Sequence, residues 1–199
     1  MKKPVLIGLT GSIGMGKSTT AAMFAEEGAA VWDADAAVHR LYGPGGAAVA
    51  PMQAQFPEAI CPDGVSREAL KALISKDPSV LKAIEAIVHP LVAADRATFI
   101  AKRPAEILVL DIPLLFETGS EGQFDLVAVV SAPADLQRQR VLARPGMTEG
   151  QFETILAKQM PDAEKRQKAD VIIPTETLDG ARAAVRAIME EAKGRLANA

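Results

Sequence analysis

With 199 residues, 49% of them hydrophobic, the chain is long enough to bury a sizeable core as one domain, or as one core with insertions. Its 22 Lys and Arg stand against 25 Asp and Glu with neither half in excess, which argues against a nucleic-acid partner. The single cysteine, Cys61, excludes an intramolecular disulfide and reads as a small apolar filler, and no run approaches the roughly 18 apolar residues of a membrane span.

The first predicted element is a strand at 5–9. Lys2 and Lys3 precede it, but the run is too short for the hydrophobic region of a signal peptide, so a soluble cytoplasmic protein is expected. The strand leads into Gly11-Ser12-Ile13-Gly14-Met15-Gly16-Lys17-Ser18, which fills every fixed position of the phosphate-loop pattern GxxxxGK[ST]. Glycine accepts positive φ, so such a loop can curl with its N–H groups inward and cradle phosphate oxygens. Lys17 would reach the β- and γ-phosphates, and Ser18 can offer its hydroxyl to Mg²⁺. The helix beginning here points its positive dipole end at the anion. A nucleoside triphosphate ligand, ATP by preference, is a stronger reading than a glycine-rich turn that merely joins strand to helix.

Further aliphatic runs at 30–32, 107–110, 126–130 and 171–173 are continuous rather than alternating, as in strands covered on both faces. Helices are predicted at 17–27, 34–41, 47–55, 67–74, 79–102, 134–143, 149–160 and 178–196. The alternation implies an α/β fold with a parallel sheet. The stretch 33–106 exceeds one crossover helix and must hold a helical insertion, entered at Gly43-Pro44-Gly45-Gly46 and left at Arg103-Pro104. Within it Pro90 is expected to break or kink the long helical pattern just after His89. A second insertion lies between Pro133 and Asp170, divided by Arg144-Pro145-Gly146. In the last helix Leu178, Ala181, Val185, Ile188 and Ala192 share one apolar face, which core packing explains.

Trp32-Asp33-Ala34-Asp35 ends the second strand, and in open α/β sheets ligands collect outside the carboxyl ends of the strands. One aspartate could accept a proton from an attacking hydroxyl, while the other holds Mg²⁺ through water or caps the next helix. Asp111 ends the run 107–110 in the position of a Walker-B-like acid, and Glu117 follows an apolar stretch. Either could touch the metal shell or substrate, and a solvated Glu117 is the plain alternative. Gln137, Arg140 and Arg144 fall at i, i+3 and i+7 on one helical face, where two guanidinium groups could close over a transferring phosphoryl group. A solvated basic face is the competing reading. His89 has no matched acid and is not read as a base, and Arg67, Lys71, Lys82, Arg96 and Lys102 offer positive charge for an anionic substrate without individual specificity. A GTPase would read guanine through an NKxD segment, but Asn198 is the only asparagine. Motor ATPases need longer cores, so a small-molecule kinase fits best.

These residues give the chain a close resemblance to the dephospho-coenzyme A kinase family over nearly its whole length. The resemblance rests on GLTGSIGMGKST at 8–19, DAD at 33–35, GVSREAL at 64–70 and IVHPLV at 87–92. It continues through PLLFE at 113–117, QRQRVLAR at 137–144, AKQM at 157–160 and ADVII at 169–173. It implies Mg²⁺-assisted transfer of the ATP γ-phosphoryl group to the ribose 3′-hydroxyl of dephospho-coenzyme A. The implied fold is a P-loop three-layer sandwich around a five-stranded parallel sheet. Its parts are a nucleotide core at 1–42, 104–135 and 168–199, a helical substrate region at 43–103 and a lid at 136–167.

By the same match Asp35 is the general base, and Lys17, Arg140 and Arg144 assist transfer. Gly11, Ser12, Ile13, Gly14, Met15, Gly16, Lys17, Ser18 and Thr19 hold the nucleotide. Thr10, Asp33, Asp35, Arg67, His89, Leu115 and Glu117 serve the substrate, and Ser18 with Asp33 serves the metal. Two positions depart from the family: Phe56-Pro57 stands where relatives often show Phe-Gly, and Thr175 where an asparagine often lies near the adenine site. The competing readings are another P-loop kinase, acting on a nucleoside, nucleotide or sugar, and a slow nucleotide-gated ATPase module. The sequence carries no signal of oligomeric state.

Overall fold

The computed structural model describes residues 3–102 and 105–198. Lys2 and the predicted exit at Arg103-Pro104 lie outside them. The chain begins with β1 (Val5–Thr10), buried along its whole length, and passes through the glycine loop into α1 (Lys17–Glu26). Next come β2 (Ala30–Asp33) and α2 (Ala34–Tyr42), then α3 (Val49–Gln55), a 3₁₀ turn at Pro57–Ala59, and the two-residue strands β3 (Ile60–Cys61) and β4 (Gly64–Val65). Helices α4 (Arg67–Lys76) and α5 (Val80–Lys102) complete the insertion. The chain then forms β5 (Ile107–Asp111), β6 (Leu126–Ser131), α6 (Ala134–Leu142), α7 (Glu149–Leu156), α8 (Asp162–Lys168), β7 (Val171–Pro174) and α9 (Leu178–Asn198).

The main sheet runs in the order β2-β5-β1-β6-β7, with parallel ladders joining β1 to β5, β1 to β6 and β6 to β7. Continuous aliphatic strands suit this arrangement because crossover helices cover both faces of a parallel sheet. On one side β1 and β6 contribute Ile7, Leu9, Ala128 and Val130 to a core shared with Met23 and Phe24 of α1 and Val185 and Ile188 of α9. The register pairs Leu9 with Asp111, and Thr10 with Val129, so the loop leaves the central strand beside the carboxyl ends of β5 and β6.

The chain divides into two compact units, one of residues 1–32 and 103–199 and the other of 33–102. The second has its own core, in which Leu41, Tyr42, Met52, Phe56, Leu70, Ile84 and Val88 are buried. No helix among the described residues is long and apolar enough to cross a membrane.

The structure departs from several expectations. Pro90 does not break the helical pattern: α5 runs unbroken from Val80 to Lys102. Proline removes one N–H donor, but apolar residues on both sides of it, Ile84, Ile87, Val88, Leu91 and Val92, all pack into the second core and hold the helix together. The predicted helix at 149–160 ends at Leu156, and α8 follows as a separate helix. Its sequence, DAEKRQK, has too few apolar residues to show a period. The β3–β4 hairpin was also invisible, being two residues a side. Leu178 is not on the buried face of α9; it is 66% exposed at the helix start, while Ala181, Val185, Ile188 and Ala192 are buried as expected.

Candidate nucleotide and phosphoryl-transfer site

The glycine loop owes its shape to backbone that only glycine adopts readily. Gly14 and Gly16 sit at φ +80° and +87°, and a Cβ on Gly14 would stand 3.0 Å from the carbonyl oxygen of Gln137 and 2.5 Å from Cγ2 of Val141. The loop therefore rests directly on α6. Inside it Met15 N–H donates to Ser12 O at 3.2 Å, while the Met15 side chain is buried in the core and its sulfur accepts from Ala132 N–H. Among the described residues, the N–H groups of Gly14, Gly16, Lys17 and Ser18 carry no hydrogen bond. They are the open donors of a helix N-terminus, the arrangement that takes a phosphate.

Lys17 lies in the first turn of α1 and pairs with the carboxylate of Asp111 at the end of β5. Asp111 is completely buried and the lysine side chain 15% exposed. Ser18 is exposed on the same turn. The Ser18 hydroxyl and the Asp111 carboxylate are hard oxygen donors, which suit Mg²⁺. Among the described residues no group of three or more His, Cys, Asp or Glu is placed to hold a metal by itself. A metal here would depend on phosphate oxygens and water for the rest of its shell.

Beneath the loop the polar groups are spent on structure. Thr10 is fully buried and its hydroxyl donates to Pro113 O at 3.1 Å. The same carbonyl accepts from Nζ of Lys165, which is buried completely and pairs with Glu117 at 2.9 Å. Glu117 also accepts from Met160 N–H at 2.7 Å. Burial pushes the Glu117 carboxyl up, but the Lys165 hydrogen bond, the Met160 N–H and the lysine charge together outweigh it. The carboxyl is held below the usual carboxylate range. The Glu117 side chain is 18% exposed and its oxygens are engaged by the protein rather than left to solvent. Leu115 is likewise enclosed, at 0% exposure in an apolar cluster with Phe116, Val127 and Val129.

Of the expected stripe, Gln137 and Arg140 lie on α6 and are engaged by the protein, whereas Arg144 falls past the helix end at Leu142 and is exposed, so the three do not share one helical face. Gln137 is 6% exposed and donates to Ile13 O, and Arg140 donates to both atoms of Thr175 that can accept, the carbonyl at 2.5 Å and the hydroxyl at 3.3 Å. The Thr175 hydroxyl itself donates to Met15 O at 2.7 Å. Thr175 therefore faces the loop and Arg140. Arg140 and Arg144 line a cavity of about 330 Å³ together with Gly16, Thr19, Thr175 and Leu178. Its apolar contribution includes the exposed Leu178, and its cationic walls adjoin the loop. Sequence reasoning gave no individual role to Lys165 or to Gln159, whose Oε1 accepts from Ile13 N–H; the only signal was the AKQM segment.

The remaining expected residues belong to the second unit. Asp33 caps α2, its Oδ1 accepting from Ala36 N–H at 2.7 Å, as one of the two readings of the aspartate pair required. Asp35 is exposed in the first turn of α2. Arg67, exposed at the start of α4, has its guanidinium 5.8 Å from the Tyr42 ring centroid. Burial pushes the Tyr42 hydroxyl up, and Arg67 partly offsets this. His89 is exposed on α5.

A parallel sheet whose central strand delivers a GxxxxGKS loop onto a helix N-terminus, with a buried acid on the neighbouring strand, defines the class of P-loop nucleotide-binding proteins. A family model described as Dephospho-CoA kinase matches residues 5–179. A protein of Ruegeria pomeroyi named Dephospho-CoA kinase is 63% identical over 185 residues, covering 93% of this chain and 94% of the relative. One of the same name from Cereibacter sphaeroides is 60% identical over 187 residues, covering 94% and 95%. Among solved structures, TT1252 from Thermus thermophilus superposes with a TM-score of 0.84 at 35% identity, covering 96% of this chain and 98% of that one. The chain belongs to the dephospho-CoA kinase family.

Proposed function

We propose that the chain transfers the γ-phosphoryl group of ATP to the ribose 3′-hydroxyl of dephospho-coenzyme A, the last step of coenzyme A synthesis. One observation carries this reading furthest within a family of that name. Four open N–H groups and Lys17 converge at the end of the central strand, as a triphosphate requires.

In this reading the loop amides bind the β- and γ-phosphates. Lys17 leaves Asp111 to neutralise the charge that spreads over the γ-phosphoryl oxygens during transfer. Ser18 and Asp111 would hold Mg²⁺, directly or through water, with Asp33 a further candidate. Bound there, the metal would supply positive charge that offsets that of the phosphates. Asp35, exposed and without a hydrogen bond to its own helix among the described contacts, takes the proton of the attacking hydroxyl. Arg140 and Arg144 grip phosphate oxygens from the wall of the cavity, whose apolar part takes the adenine. Arg67 and His89 meet the anionic acceptor. Thr10, Leu115 and Glu117 support the substrate site by fixing the segment after β5 rather than by side-chain contact.

The three parts read from the sequence carry over as roles: a nucleotide core, an acceptor region at 43–103 and a closing lid at 136–167. A coupled assay of ADP release, run with and without dephospho-coenzyme A, tests the function. Strong dependence on the acceptor supports it, and equal rates would favour a slow ATPase instead.

A further inference from the structure

Ile13 stands at the outer turn of the phosphate loop, and the two peptide groups that flank it are both held by glutamines. Ile13 N–H donates to Oε1 of Gln159 at 3.0 Å, and Nε2 of Gln137 donates to Ile13 O at 2.7 Å. The two side chains come from different places, Gln137 from the second turn of α6 and Gln159 from the turn after α7. The chemistry fixes which end of each amide faces the loop, because an N–H must meet an acceptor and a carbonyl a donor. Gln137 is nearly buried, and the close approach of Gly14 to Gln137 O and Val141 leaves no room for the loop to shift toward α6. Turning the Ile13 carbonyl outward also keeps a negative dipole away from the phosphates.

We propose that Gln137 and Gln159 are positioning residues for phosphoryl transfer, a clamp that sets the curvature of the phosphate loop and ties segment 136–167 to it through Ile13. The inference rests on the phosphoryl-transfer reading above. Glutamine is needed at both positions for opposite reasons: a donor at 137 and an acceptor at 159. Neither residue touches a reacting atom in this role; each acts through the backbone it holds, so its loss should be felt in turnover more than in acceptor binding.

The test uses Q137M, Q159M and the double variant of the full chain, which keep side-chain length while removing the hydrogen bonds. Steady-state kinetics for both substrates, thermal midpoints and hydrogen exchange of the peptide covering Ile13 are measured on each. Each single variant should lose about tenfold in kcat, the scale of a slightly misplaced reacting group, with KM for dephospho-coenzyme A within about twofold. The double should lose less than the product of the singles, because both act on one residue. In Q159M the Ile13 peptide should exchange faster than in the wild type. A kcat within about twofold of wild type in the variants, or losses that match the unfolded fraction, would overturn the clamp. Should Q137M fail to fold, Q159M, altered on a half-buried turn, decides alone, and unchanged exchange at Ile13 overturns the proposal. If the wild type shows no acceptor-dependent turnover, the functional reading fails instead, and the exchange measurement still judges the clamp.

Discussion

Lys17 illustrates how one side chain carries both a structural and a chemical load. In the free protein it neutralises the buried Asp111 carboxylate; in the proposed reaction the same ammonium group faces phosphate. Lys17→Ala is expected to abolish transfer even in the folded fraction, although removing the counter-charge of buried Asp111 also lowers stability. Circular dichroism together with ADP release checks this, and near wild-type turnover in a folded variant would contradict it. Asp35→Asn should lower kcat by roughly 10² to 10⁴ with little change in ATP affinity, the range for losing a general base. Asp33→Asn should cost less, because its observed work is to cap α2 and an asparagine caps nearly as well. A reversed order in the two kcat values would exchange their roles. The phosphate loop was legible residue by residue because its chemistry lies in consecutive positions. The roles of Gln159 and Lys165 were not legible, and Thr175 stood out only as a departure from the family, because each works through a backbone atom or a carboxylate far away in sequence, such as Met15 O for Thr175 and Glu117 for Lys165.

At the scale of elements, the segment from α6 to α8 is fastened by several contacts, among them Gln137 and Gln159 on the loop, Arg140 on Thr175, Asp162 on Ser131, and Lys165 on Glu117. Glu117→Gln leaves the Lys165 ammonium buried without a counter-charge and should destabilise the protein by about 3 kcal/mol at neutral pH. The pH dependence follows from the sign of the shift. The Glu117 carboxyl is held below its ordinary value, so the stabilisation is complete above the unfolded glutamate value of about 4.3 and is lost as pH falls through the lower folded value. The difference in unfolding free energy between wild type and Glu117→Gln should therefore be largest near neutrality and shrink in acid. A difference that is constant with pH would contradict the pairing.

Arg140→Lys should impair catalysis more than an ordinary surface exchange, since an ammonium cannot span both the carbonyl and the hydroxyl of Thr175 as the guanidinium does. If kcat is unchanged in that variant, the fork has no catalytic bearing. Hydrogen exchange across 137–160 should slow when ATP and acceptor are both bound, as expected of a closing lid. Elements with a clear period, such as α5 and α9, were readable from the sequence almost to their ends. The charged α8 and the two-residue β3–β4 hairpin were not, because tertiary packing rather than local pattern holds them.

Across the whole molecule, the strand order β2-β5-β1-β6-β7 sets the phosphate loop on the central strand, where it is flanked by the carboxyl ends of β5 and β6. The groups proposed to bind phosphate lie in the first compact unit, and the proposed base and acceptor-binding residues lie in the second. This parallel architecture was legible because its strands are continuous apolar runs separated by helical stretches. The extent of the second unit was less so, since its core draws on Leu41 and Tyr42 of α2, upstream of the glycine-rich turn at 43–46. Phosphoryl transfer to one hydroxyl of one acceptor is tested most directly by identifying the product. The protein is incubated with ATP, Mg²⁺ and dephospho-coenzyme A, and the acceptor is examined by mass spectrometry and phosphorus NMR. The expected product is heavier by one phosphoryl group, carries a new phosphomonoester at the ribose 3′ position and forms in step with ADP. ADP released while the acceptor remains unmodified, or a phosphate placed elsewhere on it, would contradict the proposed reaction.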